Sequence, residues 1–273
     1  MTVILVLCAG ILGALIGSFV NVLVMRIRTG KSLGGRSTCM SCKRQLKWYE
    51  LIPIMSYLIV RARCLTCYTP LSRHYLIGEV SMAVLFAGIA LYGITSFGDN
   101  LPMLIANMLP WMIVGILGIG LSLYDIRHMI VPNTFVYPLI AVGIIALFFS
   151  SGGIWTTFTF PEPLHIIAGP LIALPFFLIW FFSKGRLFGF GDVKIILAIG
   201  WLLGLVSGIF AVVISFWIAA VCVALSWMVH IMRGNTMGGN YMKLAIPFGP
   251  FLIVSLYVML FFGQQIHTFF ISW

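Results

Sequence analysis

Long apolar runs divide this chain from end to end. They cover residues 3–25, 76–94, 103–124, 134–150, 164–182, 193–207, 208–231 and 246–264. About 20 helical residues cross the ~30 Å hydrocarbon core of a bilayer. The chain is 62% hydrophobic and only 8% charged, whereas about a quarter of a soluble domain's residues are charged. The expectation is an all-α polytopic membrane protein with about eight transmembrane helices.

The basic residues orient these runs. Ten of the sixteen Lys and Arg lie between Arg26 and Arg73, against one acid, Glu50. Cytoplasmic loops collect Lys and Arg, so this loop reads as cytoplasmic. The other six are Arg127, Lys184, Arg186, Lys194, Arg233 and Lys243, and all fall at ends the same alternation places inside. The outer connections near 95–102 and 151–163 and the C-terminal tail have none. The first run has no basic residue before it and Arg26 and Arg28 after it. That is the reverse of a cleavable signal, so it reads as a retained span with its N-terminus outside. The net charge of +10 is thus a matter of topology, and no nucleic-acid partner is expected. The expected organisation is a first transmembrane helix (1–25), a cytoplasmic loop domain (26–75) and a helical bundle (76–273).

Inside that loop stand "CMSC" and "CLTC", which place Cys39 and Cys42 in one pair and Cys64 and Cys67 in another. Each pair closes a tight turn with both sulfurs on one side, and four thiolates complete the tetrahedron of a structural zinc site. Stable disulfides do not suit a reducing compartment. Four free thiols or a redox role are the alternatives. A closed four-sulfur site has no position open to substrate, so its role is to fold a small polar loop. Cys8 and Cys222 lie in apolar runs and read as inert thiols.

Only three aspartates occur, Asp99, Asp125 and Asp192. Asp99 reads as a solvated turn residue. Asp125, in "YDIRHMIVPN", and Asp192, in "GFGDVK", fall at the same predicted membrane level. Ionisable groups at that depth are expensive and mark functional sites. Two carboxylates that meet there hold one proton between them and act as base on a water and acid on a carbonyl. Each is also compatible with simple pairing, Asp125 with Arg127 or His128 and Asp192 with Lys194. Gly189 and Gly191 favour the first reading, because they remove side chains beside Asp192 and leave room for a substrate backbone.

Together these stretches resemble the bacterial type IV prepilin peptidases, the bifunctional prepilin leader peptidase/N-methyltransferases of the Gly-x-Gly-Asp intramembrane aspartyl protease class. "GSFVNVLVMRI" (17–27) is similar to their N-terminal signature. "CMSCKRQLKWYELIPIMSYL" (39–58) and "RCLTCYTPLSRHYLIGE" (63–79) resemble their cysteine loop. "YDIRHMIVPN" (124–133) and "GFGDVK" (189–194) resemble their two aspartate motifs, and "IPFGPFL" (246–252) their last-span motif. In this chain Ala62-Arg63 stand where Gly-Lys is common in the family.

The resemblance implies that Asp125 and Asp192 are the catalytic pair and that Cys39, Cys42, Cys64 and Cys67 hold the loop's metal, Zn2+. The substrates implied are prepilins and pseudopilins of type IV pili or type II secretion. These carry a short basic leader ending in Gly before a hydrophobic helix with Glu at its fifth position. Cleavage follows the Gly at the cytoplasmic face of the bacterial inner membrane. S-adenosylmethionine then methylates the new N-terminus. Glu50 and Glu79 are the acids near the loop and are candidates for contacts there, with capping or pairing to Arg and Lys as the plainer role. A peptidase without methylation remains an alternative, and so does a non-enzymatic zinc-binding transporter or assembly factor. Presenilin-like proteases share the Tyr-Asp and Gly-x-Gly-Asp elements but not the cysteine loop.

Overall fold

A computed structural model describes residues 2–27, 35–39, 41–98, 100–149, 158, 160–232 and 246–271; Asp99 lies outside them. The helices are α1 (Thr2–Arg26), α2 (Met55–Ile59), α3 (Arg73–Phe97), α4 (Leu101–His128), α5 (Asn133–Phe149), α6 (Pro163–Ser183), α7 (Phe190–Leu203), α8 (Leu205–Met232) and α9 (Gly249–Ile271), with a 3-10 turn at Trp48–Leu51. Among the described residues there is no β-strand, only isolated antiparallel bridges. Helices α1, α3, α4, α6, α8 and α9 are long and apolar enough to cross a membrane, and α5 is a shorter apolar helix. The chain is a multi-pass membrane protein, all-helical as expected.

Two compact units divide it, Met1–Leu123 and Tyr124–Trp273. In the first, α1 packs along α3 through glycines that let the backbones approach. A Cβ on Gly13 would lie 2.5 Å from the Met82 carbonyl oxygen, and one on Gly17 would lie 2.8 Å from that of Gly78. Small residues are how membrane helices gain contact where no hydrophobic drive exists between them. Buried Asn21 donates to the Tyr75 carbonyl at 2.8 Å. This tie explains the asparagine in the 17–27 signature.

In the second unit α7 is the hub, packed against α5, α6, α8 and α9. Its 14 residues extend only ~21 Å, less than the hydrocarbon thickness. Protein surrounds it instead: Ile195, Ile196 and Ile199 are completely buried. The α6–α7 approach is close enough that a Cβ on Gly200 would sit 2.6 Å from the Gly169 Cα. The α7–α8 boundary falls at Gly204, not at the expected 207/208. Gly204 has φ +78°, a left-handed conformation that breaks one continuous apolar run into two helices.

Candidate active site and metal centre

Asp125 sits in the last turn of α4. The Met129 amide bonds back to the Asp125 carbonyl at 2.7 Å, and Met129 adopts φ 53°, so the helix stops there in a left-handed residue. Pro132 then begins the next helix, its carbonyl accepting from Phe135 at 3.2 Å. "YDIRHMIVPN" is therefore a helix end, a tight turn and a helix start. The Asp125 side chain is 4% exposed. Its Oδ2 accepts from the Gly249 amide at 3.1 Å. Gly249 opens α9, so the positive end of that helix faces the carboxylate.

Asp192 occupies the first turn of α7, after the capping residue Gly189. Its Oδ1 is buried with no hydrogen-bond partner among the described residues. Asp125 and Asp192 face one shared space. A cavity of about 320 Å3 is lined by both, by Met129, Ile130 and Val131 after α4, by Gly189 and Gly191 before and in α7, and by Ile246, Pro247 and Phe248 before α9.

The two glycines face different neighbours. A Cβ on Gly189 would lie 3.0 Å from Asp192 Oδ2, whereas one on Gly191 would lie 2.4 Å from the Val131 Cβ. Gly189 keeps the carboxylate clear, and Gly191 lets the turn after α4 close onto α7. Lys194, the alternative partner for Asp192, turns elsewhere. Its Nζ donates to Asn133 Oδ1 at 3.0 Å and lies over the Tyr137 and Phe190 rings, 4.9 and 4.8 Å from their centroids.

The four loop cysteines form one cluster, with all four Sγ atoms within 4.8 Å of one another. Cys39 and Cys67 sulfurs lie 3.7 Å apart, and those of Cys42 and Cys64 lie 4.0 Å apart. A zinc–sulfur bond of ~2.3 Å gives a tetrahedral edge of about 3.8 Å, so a zinc ion fits. Two equivalent knuckles present them. Thr38 bridges Gln45 in one, and Arg63 bridges Pro70 in the other. Cys39 and Cys64 donate from their amides to Arg44 and Thr69 at 2.8 and 3.0 Å. Each knuckle turns at a left-handed residue, Lys43 at φ 59° and Tyr68 at φ 55°.

Hydrogen bonds from the Thr69 hydroxyl and amide bring the Cys67 thiol down to about 6. The Cys67 and Thr66 amides lower Cys64. Cys42 feels a lowering hydrogen bond from the Arg44 amide most strongly, but desolvation and the other three sulfurs push it up to about 11. Four sulfurs gathered this closely, two of them with lowered thiol pKa values, suit a cation at their centre.

The two candidate glutamates are not brought together. Glu50 makes a two-pronged pair with Arg44, at 2.7 and 3.0 Å, and caps the Lys47 amide at 2.8 Å. Hydrogen bonds from Arg44 hold it below the usual carboxylate range. Arg44 also reaches to 4.0 Å from Cys64 Sγ. Glu79, buried in α3, accepts from the Ile54 amide at 2.7 Å and contacts the Ser18 hydroxyl. Both act on the loop's backbone and folding. Among the histidines, His267 bonds Ser207 at 3.0 Å and the His128 ring lies tilted against Tyr124, centroids 4.4 Å apart. Sequence pattern alone does not point to the Gly249 amide or to the Val131 contact. "IPFGPFL" carries a Gly-Pro at the edge of an apolar run, which is the signal of a helix start.

Residues 11–92 match the family described as the bacterial peptidase A24 N-terminal domain, and residues 111–225 match the type IV leader peptidase family. Among relatives, a Pseudomonas putida protein named prepilin leader peptidase/N-methyltransferase is 26% identical, over 95% of this chain and 91% of its own length. One of the same name from Burkholderia pseudomallei is 29% identical over 94% of this chain and 85% of its own. One from Legionella pneumophila is 27% identical over 87% and 76%. No solved structure matches. With both family regions in the expected order and full-length relatives of one name, the chain belongs to the type IV leader peptidase family.

Proposed function

We propose that this chain removes the leader of prepilins and pseudopilins by hydrolysis at Asp125 and Asp192, and then methylates the new N-terminus with S-adenosylmethionine. The observation that carries the peptidase reading is that these two carboxylates line one cavity.

The chemistry requires the pair to hold one proton. The unprotonated carboxylate takes a proton from water as the water oxygen attacks the scissile carbonyl carbon. The other carboxyl gives its proton to the carbonyl oxygen. The tetrahedral intermediate then loses the C–N bond, and the departing amine receives the proton first taken from water. Asp125, anchored by the Gly249 amide, is suited to the ionised role, because a donor and a helix N-terminus favour negative charge. Asp192, with an unpartnered Oδ1, is suited to meeting the water or the carbonyl. The apolar residues at the cavity, Met129, Ile130, Ile246 and Phe248, suit the hydrophobic helix that follows the leader.

The cysteine knuckles hold Zn2+ in this reading, as a structural ion that fixes the loop. The active site faces the cytoplasm of the bacterial inner membrane, where the positive-inside pattern puts the ends of α4 and α7. The test is to incubate the membrane-embedded protein with a prepilin peptide, with and without S-adenosylmethionine, and to read product masses. Leader loss without the methyl donor and one added methyl group with it are expected. An uncut peptide refutes the peptidase, and leader loss with no methyl shift refutes the second activity.

A further inference from the structure

Residues 48–59, "WYELIPIMSYLI", join the two cysteine knuckles. They contain one charge, Glu50, and its side chain is 5% exposed and committed to Arg44. The outward surface of the segment is therefore uncharged. It is also apolar: Trp48 is 77% exposed, Ile59 66% and Leu58 61%, with Met55, Leu51 and Ile52 exposed beside them. An apolar patch of this kind on so small a domain marks an interaction surface.

The fold says at what level it lies. The Ile54 amide, at the start of α2, donates to Glu79 Oε2 at 2.7 Å. Glu79 is six residues into α3, which begins at Arg73, so it lies ~9 Å along that helix. The α3 helix is long and apolar enough to cross a membrane. The segment is thus pinned beside the second turn of a span, not held out in solvent. Ile54 itself takes φ 63°, an uncommon conformation for a β-branched residue, and Glu79 is the group that holds it there.

Cations flank the patch on both sides: Lys47 before it, and Arg61 and Arg63 after it, all exposed. Trp48 and Tyr49 sit at its edge, with Lys47 Nζ 5.8 Å from the Tyr49 ring centroid. Apolar side chains between aromatic and basic flanks are the pattern of a surface lying in the headgroup–acyl boundary, and the basic flanks match anionic headgroups.

We propose that residues 48–59 are a lipid-docking surface. Leu51, Met55, Leu58 and Ile59 enter the boundary of the leaflet that α3 leaves at Arg73, and Lys47, Arg61 and Arg63 bind anionic headgroups. Docking continues the membrane contact of α1 and α3 onto the metal-binding loop, so the bilayer itself orients the two knuckles.

A photoreactive benzoylphenylalanine replaces Leu58 in the full-length chain, which is then reconstituted in nanodiscs of phosphatidylcholine with phosphatidylglycerol. Thr66, exposed on the second knuckle, is the control position. Irradiation is expected to give lipid adducts at 58, several-fold above those at 66. Adducts to residues 124–273, adducts to an added prepilin peptide, or a yield equal to the control each overturn the proposal. The same probe at Trp48 decides the matter if the Leu58 variant loses its metal. Replacing Lys47, Arg61 and Arg63 together by Gln is expected to lower the lipid yield at least twofold in phosphatidylglycerol discs, and an unchanged yield overturns the headgroup assignment.

Discussion

The Gly249 amide donates to Asp125 Oδ2 at 3.1 Å across a separation of 124 residues. A backbone donor at the start of α9 thus holds one carboxylate of the cavity. Gly249→Pro removes the donor while leaving a residue suited to a helix's first turn; Gly249→Ala keeps the N–H. A hydrogen bond to a charged group is worth roughly 1.5–3 kcal/mol, so the Pro variant should cut prepilin peptide about ten- to a hundredfold more slowly than the Ala variant. Equal rates in the two variants refute the anchoring role.

Asp125→Asn and Asp192→Asn keep each side chain's shape and remove its acid–base chemistry. Each should slow leader removal on the order of a thousandfold or more, with the melting temperature little changed. If either variant cuts at the normal rate, the pair is not the catalytic dyad. Methylation of a synthetic peptide that already bears the mature N-terminus should survive both substitutions, because that substrate no longer needs hydrolysis at the Asp125/Asp192 cavity.

Gly191 supports a sharper test. Its missing Cβ would lie 2.4 Å from the Val131 Cβ and 2.7 Å from Cγ2. Gly191→Ala therefore overpacks the turn after α4 against α7, at about 1–3 kcal/mol, and shifts Asp125 relative to Asp192. Because the collision includes Cβ, Val131→Ala should rescue poorly and Val131→Gly well. Thermal melts and cleavage rates of the two double variants measure this. Equal rescue by both places the collision elsewhere.

The legible parts of this fold were those written in local pattern. Apolar length predicted the helices, six of them long enough to span, and Cys-x-x-Cys spacing predicted the cysteine cluster, because both signals sit within a few residues of where they act. Asp125 and Asp192 were paired from sequence through membrane level and the scarcity of acids. The Gly249 donor was not legible, because a backbone N–H leaves no trace in residue identity. Nor was the Val131–Gly191 contact, which depends on how α5 returns beside α7. Gly204 was hidden among 28 glycines, since only its φ distinguishes it as a helix break. The left-handed Lys43 and Tyr68 carry no glycine to betray the matching turns of the knuckles.

The cysteine cluster should be separable from proteolysis. Cys64→Ser removes one of four sulfurs that lie within 4.8 Å of one another, and metal content by mass spectrometry should fall to background. Leader removal should persist, and a sharp fall in methylation beside it would assign the loop to the second activity. Glu50→Gln should weaken metal retention more mildly, because it leaves Arg44 without its charged partner beside Cys64. Arg44 holds the Glu50 carboxylate below its usual range. Its stabilising effect is therefore complete at neutral pH and is lost only as acid titrates it below that range. Loss of cleavage in Cys64→Ser would assign the loop to the peptidase.

Ala62 offers a change that should improve the protein. Arg61 and Ala62 both take left-handed conformations, at φ 50° and 57°, just before the second knuckle. The left-handed region costs a residue with a Cβ roughly 1 kcal/mol that glycine does not lose. The conformation is needed to bring the chain back, since the Ala62 amide donates to the Tyr57 carbonyl at 2.9 Å and its own carbonyl accepts from Leu71 at 2.7 Å. Gly is common at this position in the family that the chain resembles, and the backbone supplies the reason. Ala62→Gly should therefore stabilise the metal-bound loop by about 1 kcal/mol, or roughly fivefold in resistance to a zinc chelator. Its effect on leader removal should be negligible. A chelator titration comparing the variant with the parent decides it, and a loop that loses metal more readily with Gly at 62 refutes the left-handed strain.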